Sequence, residues 1–169
     1  KKLEEEIKKK SIAAGIYACN MPTEYGGGGH DSFDTTLVDR EFGATSYALH
    51  YIVARPSNIL RACTESQIQE YLIPTIAGDR VDCLAMSEPD AGSDMRGMKC
   101  SAVRDGDDWI VNGQKVWNTS AHHADYGMLL ARTDWDVPKH HGISYFVLPM
   151  KQPGVEVRPI LQMNRHSSF

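Results

Sequence analysis

Hydrophobic residues along this chain follow two rhythms, one helical and one strand-like, and the change comes near residue 80. From Lys1 to about Asp79 the pattern is helical. Leu3 and Ile7 mark an apolar face, while Glu4, Glu5 and Glu6 each stand four residues ahead of Lys8, Lys9 and Lys10. That order favours ion pairs along a helix surface, so the charge run reads as a solvated face. Met21-Pro22-Thr23-Glu24-Tyr25 and the glycines at 26–29 break the pattern, because these residues resist regular structure. Ser32 is placed to cap a second helix with Phe33, Leu37, Val38 and Phe42 on one side. Thr64 and Gln67 have capping-box spacing ahead of Ile68, Tyr71 and Leu72, and Pro74 with Gly78 ends that segment.

Beyond Arg80 the apolar runs shorten. Trp109-Ile110-Val111, then Asn112-Gly113, then Gln114 to Thr119 predict a hairpin, since Asn-Gly is the preferred two-residue turn. Counting outward pairs Val111 with Gln114, Trp109 with Val116, and Asp108 with Trp117. This places Trp117 and Thr119 on one side with Ile110, and Asn118 on the other. Further strands are expected at Met128 to Ala131, Ser144 to Leu148 and Val155 to Arg158. No ten-residue helical pattern lies between them, which predicts an antiparallel sheet or barrel. The fold class is therefore α+β: an N-terminal α-helical domain over 1–79, then a β-domain over 80–169.

Composition narrows the function classes. With 169 residues, 41% hydrophobic and 24% charged, the chain can build a core, and its net charge of −4 with dispersed basic residues points away from nucleic acid. No apolar run approaches the roughly 18 residues of a membrane span, and Lys1–Lys10 leads into no signal-like apolar region. These features predict a soluble, intracellular protein with no membrane partner. Cys19, Cys63, Cys83 and Cys100 are widely spaced, the pattern of reduced and mostly buried thiols. His122-His123 and His140-His141 lack a Cys or carboxylate at ligand spacing, so no metal is expected. Lys139, His140 and His141 read as a solvated loop. The glycines at 26–29 lack the Lys-Ser/Thr of a phosphate loop and its strand-to-helix setting.

Two segments carry candidate chemistry. In Leu84-Ala85-Met86-Ser87-Glu88-Pro89-Asp90-Ala91-Gly92-Ser93-Asp94 an apolar strand runs into hydroxyls, carboxylates and glycine. Ser87 and Ser93 can donate and accept, and Gly92 lets a ligand approach the backbone. The plainer reading is a strand ending in a capped turn. Glu88 and Asp90 are close together, but nothing pairs them with a nucleophile or metal. In the second segment, Trp117 could be core packing, or its indole could cover a planar ring while Thr119 meets a ring nitrogen or oxygen.

Together these segments resemble the acyl-CoA dehydrogenase family. Ala85 to Asp94 looks like that family's first signature, and Asn112-Gly113-Gln114-Lys115-Val116-Trp117-Asn118-Thr119 resembles the hairpin leading to its second flavin contact. Pro22-Thr23-Glu24-Tyr25-Gly26-Gly27 is similar to the turn between two N-terminal helices of the family. The resemblance implies FAD as cofactor and acyl-CoA as substrate. It implies that Leu84, Met86 and Ser87 line the isoalloxazine and ribityl chain, that Ser93 contacts the diphosphate or the acyl-CoA, and that Trp117, Asn118 and Thr119 lie against the ring. Asn118 departs from the commoner branched apolar residue and would contribute backbone.

The implied reaction is α,β-dehydrogenation of an acyl-CoA thioester, with an electron-transfer flavoprotein as acceptor. In the family the catalytic base and neighbouring-subunit contacts lie in a C-terminal helical bundle, so no catalytic residue is expected in this chain. A truncated subunit lacking a closing strand, homo-oligomeric when complete and cytoplasmic or in the mitochondrial matrix, is the reading that follows. An acyl-CoA oxidase or reduced-flavin monooxygenase on the same scaffold is the alternative enzyme class. A non-catalytic flavin-binding or interaction module is the third.

Overall fold

Helix α1 (Lys2–Ala13) forms over the charged run, but the run is not wholly solvated. Lys10 pairs with Glu6 at 3.1 Å on the exposed side, whereas Lys8 donates its ammonium to the carbonyl of Gly78 and lies 5.7 Å from the centre of the Tyr17 ring. The structure, a computed structural model, describes residues 2–45 and 56–169. The chain divides into two units, Lys1–Val81 and Asp82–Phe169.

In the first unit a short 3₁₀ turn at Thr23–Tyr25 leads to helix α2 (Ser32–Gly43). Its cap is Asp31, not Ser32: the Asp31 carboxylate accepts from the amides of Phe33 and Asp34 at 2.8 and 2.9 Å. A carboxylate at that end also meets the positive pole of the helix dipole, an advantage a serine hydroxyl lacks. No residue of α2 is buried among the described residues, and Phe33 is 70% exposed, so its apolar side does not face the described core.

That core comes instead from the irregular stretch Tyr17–Met21 together with Leu60, Ile68, Tyr71, Leu72 and Ile76. The glycines at 26–29 fold back on this stretch. Gly28, Gly29 and His30 donate their amides to Ala18, Met21 and Cys19, and a Cβ on Gly27 would stand 2.3 Å from the Met21 carbonyl oxygen. Amides committed to protein carbonyls cannot cradle phosphate, so the run closes the core.

Helix α3 joins Glu65–Gln67, a π-helical turn Ile68–Leu72 and Ile73–Ile76. At its start the Thr64 amide donates to Gln67 Oε1 at 3.0 Å, as the capping-box spacing predicts. Pro74 lies inside the last turn and does not end it. The wider i→i+5 turn just before it shifts the hydrogen-bond register, and Pro74 brings no N–H that would need a partner.

The second unit is a five-stranded sheet: β1 (Asp82–Ala85), β2 (Ser101–Asp105), β3 (Asp108–Asn112), β4 (Tyr126–Arg132) and β5 (Ile143–Pro149). The α+β class holds, but the sheet is mixed. β5 runs antiparallel along the whole of β4, while β1 pairs parallel with Tyr126 to Leu129 and β2 meets β4 only at Arg132. A parallel pair needs a crossover, and here a β-hairpin and loops, with one 3₁₀ turn at Met95–Gly97, provide it without an α-helix. β1 and β2 thus follow one another along the same edge of β4, and residues 86–100 leave and rejoin the sheet there. Every β4 residue except Leu130 is buried.

The hairpin also sits elsewhere than predicted. β2 and β3 pair from Ser101↔Asn112 to Asp105↔Asp108 around Gly106-Asp107, with Gly106 at φ +63°. Asn112 ends β3 in an ordinary negative-φ conformation, which excludes the Asn-Gly turn. Gly113 is required for another reason, since a Cβ there would lie 2.6 Å from Cys100 Sγ. Residues 114–118 form no strand, and neither does Val155 to Arg158. The pairing of Trp117 with Asp108, and the shared face with Ile110, fall with the turn.

Candidate functional site

The first segment leaves β1 at Ala85 and closes a tight turn in which Glu88 and Ala91 exchange backbone hydrogen bonds of 2.9 and 3.2 Å around Pro89-Asp90. Proline presets the backbone for that corner. The second segment runs beside the first. The Val116 amide donates to Ser87 O at 2.9 Å, and the Asn118 side chain, turned as its neighbouring acceptors dictate, donates from its nitrogen to Val116 O (3.0 Å) and Leu84 O (3.2 Å). Asn118 is therefore tied directly to Leu84, and Ser87 to Val116, with Met86, Trp117 and Thr119 carried on the same two strips.

A buried ion pair is the strongest link. Lys115 Nζ lies 2.8 Å from Glu88 Oε1 and 3.0 Å from Met86 O, and both charged side chains are only 6% exposed. Glu88 also accepts from the amides of Lys99 (2.7 Å) and Cys100 (2.9 Å). Burial pushes the Glu88 carboxyl up, but the Lys115 ammonium and the two amides outweigh it, so it titrates below the ordinary carboxylate range. Glu88 is thus a structural anion with all its neighbours donating.

Trp117 is held in a form that bulky residues rarely adopt. Its φ is +60°, Ser120 follows at +62°, and hydrogen bonds from Thr119 N to Trp117 O (3.1 Å) and from Ala121 N to Asn118 O (3.1 Å) wind the stretch tightly. Such backbone costs of order 1–3 kcal/mol and persists where its surroundings over-determine it. Here it leaves the indole 62% exposed, with one edge-to-face contact to Phe169 at 5.6 Å. The main chain supports that contact through the Ser120 amide, which donates to Ser168 O at 2.8 Å.

Ser93 is exposed in the loop after the Glu88–Ala91 turn, and no hydrogen bond among the described residues joins it to this cluster. The side chain of Asn118 faces its own chain and not an open surface. Two residues missing from the sequence-based set, Lys115 and Phe169, are built into the site, and Glu88 enters as an organiser. The signal for the pair was the lone lysine of the second segment against the acidic residues Glu88, Asp90 and Asp94 of the first, which does not single out Glu88; Phe169 had none.

Arg132 anchors the outer loops. Its buried guanidinium donates to the carbonyls of Arg96 (2.7 Å), Met98 (3.3 Å) and Lys139 (3.1 Å) and stacks 4.9 Å from Trp135. The thiols near the site are inert acids: burial, with Asp82 adding, pushes Cys83 up to about 11, and burial raises Cys100. Among the described residues no three His, Cys, Asp or Glu side chains gather as metal ligands, and no helix is long and apolar enough to cross a membrane.

Comparison with known proteins adds the following. The profile of the acyl-CoA dehydrogenase N-terminal domain matches residues 1–79, and that of the acyl-CoA dehydrogenase middle domain matches residues 83–168. The acyl-CoA dehydrogenase FadE34 of Mycobacterium tuberculosis is 38% identical over 172 residues, covering 99% of this chain and 24% of that protein. Among solved structures, the Tcur3481-Tcur3483 steroid ACAD superposes with a TM-score of 0.79 at 29% identity, over 96% of this chain and 42% of its own. A glutaryl-CoA dehydrogenase from Mycobacterium smegmatis in complex with FADH2 gives 0.78 at 32% identity, over 92% of this chain and 40% of its own. The chain thus spans well under half the length of these proteins.

Proposed function

Because the chain belongs to the acyl-CoA dehydrogenase family, we propose that its sheet unit forms one wall of a FAD site in a subunit that dehydrogenates acyl-CoA thioesters between Cα and Cβ. In this reading 1–79 is the helical domain and 80–169 the β-domain. The observation that carries the reading is the strained and exposed Trp117, fixed beside Ser87 and Thr119 by the hydrogen bonds between the two segments.

These residues fit the group. An open indole offers apolar area to a planar ring, and the half-buried Ser87 and Thr119, on the same two strips, carry hydroxyls that would meet ring heteroatoms. Leu84 and Met86 supply apolar surface beneath the ring, Asn118 locks the strip that bears Trp117, and Ser93 on its exposed loop would meet the diphosphate or the acyl-CoA. Bound FAD would accept the hydride that leaves Cβ. Glu88, fully engaged by donors, is not free to take the Cα proton, and this reading puts the base in another part of the enzyme. An electron-transfer flavoprotein as electron acceptor and a homo-oligomeric assembly complete the proposal.

The test is flavin content. The purified chain of verified mass is denatured and the released flavin identified and counted, then the apoprotein is titrated with FAD while tryptophan emission is followed. Near-stoichiometric FAD, with quenching that Trp117→Phe abolishes, supports the reading. A folded chain that neither carries nor takes up FAD at micromolar concentration overturns it for this chain.

A further inference from the structure

We propose that Lys115 is a positioning residue that acts on the bound ring through the Met86–Ser87 peptide, making the Ser87 N–H a stronger donor to it; this rests on the FAD reading above. Lys115 Nζ donates to Met86 O at 3.0 Å. The described backbone contains no cis peptide, so the N–H of Ser87 points away from that carbonyl, to the side opposite the ammonium. Among the described residues this N–H has no acceptor, whereas the Ser87 carbonyl is already taken by Val116 N. The peptide thus has a buried cation at its oxygen end and an open donor at its nitrogen end.

A cation beside a carbonyl draws electron density out of the peptide and strengthens its N–H, as cooperative hydrogen-bond chains do in a low dielectric. Glu88 is the counter-charge of the buried Lys115, at 2.8 Å. Its own charge offsets part of the effect, but the Lys115 ammonium is the charge that touches the carbonyl, at 3.0 Å, and Coulomb attraction falls with distance. A flavin that has taken up two electrons and one proton is an anion. A strengthened fixed donor therefore favours that form over the neutral oxidised one, by the logic of dipoles preorganised toward developing charge.

The experiment compares the affinity of the chain for oxidised FAD and for dithionite-reduced FAD under anaerobic conditions. It uses the parent, Lys115→Arg, and the double variant Glu88→Gln/Lys115→Met, which removes both charges together. The expected result is a parent preference for reduced FAD that falls about tenfold in the double variant, the scale of one charge-assisted hydrogen bond, and largely survives in Lys115→Arg. A folded double variant that keeps the parental preference overturns the proposal. Should the double variant not fold, Lys115→Gln, which can still donate to Met86 O but carries no charge, takes its place with the same expectation. The Ser87 amide proton in NMR separates this idea from the cofactor reading. Without ligand it should move upfield when the charge of Lys115 is removed, and a stationary signal refutes Lys115 acting on the peptide even in a chain that binds no FAD.

Discussion

Replacing Glu88 by glutamine keeps its shape and removes its charge, which makes it the sharpest test of how the two segments are joined. The carboxylate now receives three donors: Lys99 N at 2.7 Å on one oxygen, and Cys100 N at 2.9 Å with Lys115 Nζ at 2.8 Å on the other. A glutamine can keep one oxygen toward Cys100 and Lys115, but its NH₂ group then faces the Lys99 N–H, donor against donor. Lys115, 6% exposed, is left without a counter-charge. Breaking one partner of a buried pair costs roughly 3–5 kcal/mol, and the surviving acceptor oxygen places this case near the lower end, about 3 kcal/mol. Against a typical total of about 5–15 kcal/mol, that is a loss urea titration followed by tryptophan emission resolves easily. A loss below about 1 kcal/mol, the worth of a solvent-exposed pair, would refute the argument. The pH dependence supplies a second reading. The folded-state pKa of Glu88 lies below the ordinary glutamate value of 4.5, so its contribution is present above 4.5 and is lost as pH falls through the lower folded value. Glu88→Gln should therefore flatten the acid limb of the stability curve, and an unchanged acid limb would count against the pair.

Three further outcomes follow from the geometry. Gly27→Ala would set a Cβ 2.3 Å from the Met21 carbonyl oxygen, so it should cost about 3 kcal/mol, and a melting temperature equal to the parent's would contradict the packing. Of the four cysteines only Cys63 is partly exposed, so Ellman's reagent should find no more than one accessible thiol per native chain and four after denaturation; rapid native reaction at Cys83, whose thiol is pushed up to about 11, would be inconsistent with its burial. Phe169→Ala removes the edge-to-face partner of Trp117 and should red-shift its emission and cost about 1 kcal/mol, whereas no spectral change would mean the two rings do not meet in solution.

The two-rhythm pattern carried the α+β class and the cores of β4 and β5: the β4 run is buried almost throughout, and the half-buried β5 run pairs with it along its whole length, so local pattern and tertiary pairing agree. The Thr64–Gln67 cap was equally legible, being a local hydrogen bond. The hairpin was not. Asn112-Gly113 is the stronger turn signal in isolation, but Gly106-Asp107 turns the chain, and Gly113 is a glycine because Cys100 approaches it. Ser32 yielded to Asp31, Pro74 was absorbed by a π-turn, and the parallel placement of β1 depends on pairing across some forty residues that no local pattern encodes. The candidate site divides in the same way. Its two segments are visible as composition, while the Glu88–Lys115 pair, 27 residues apart in sequence, and the contact between Trp117 and Phe169 arise only on folding.

The shared edge of β4 has a consequence for how this scaffold can vary. Ala85 sits opposite Leu129 and Ser101 opposite Arg132, so the intervening stretch begins and ends within three positions of a single strand. Its ends are held by the sheet whatever its length, and lengthening a closed loop is cheap: each doubling adds only about 0.6 kcal/mol of closure entropy. Residues 92–95, between the Glu88–Ala91 turn and the carbonyls of Arg96 and Met98 that Arg132 holds, can then be inserted, deleted or exchanged without moving the register of any strand. Recognition at the rim is in this way uncoupled from the architecture that supports it.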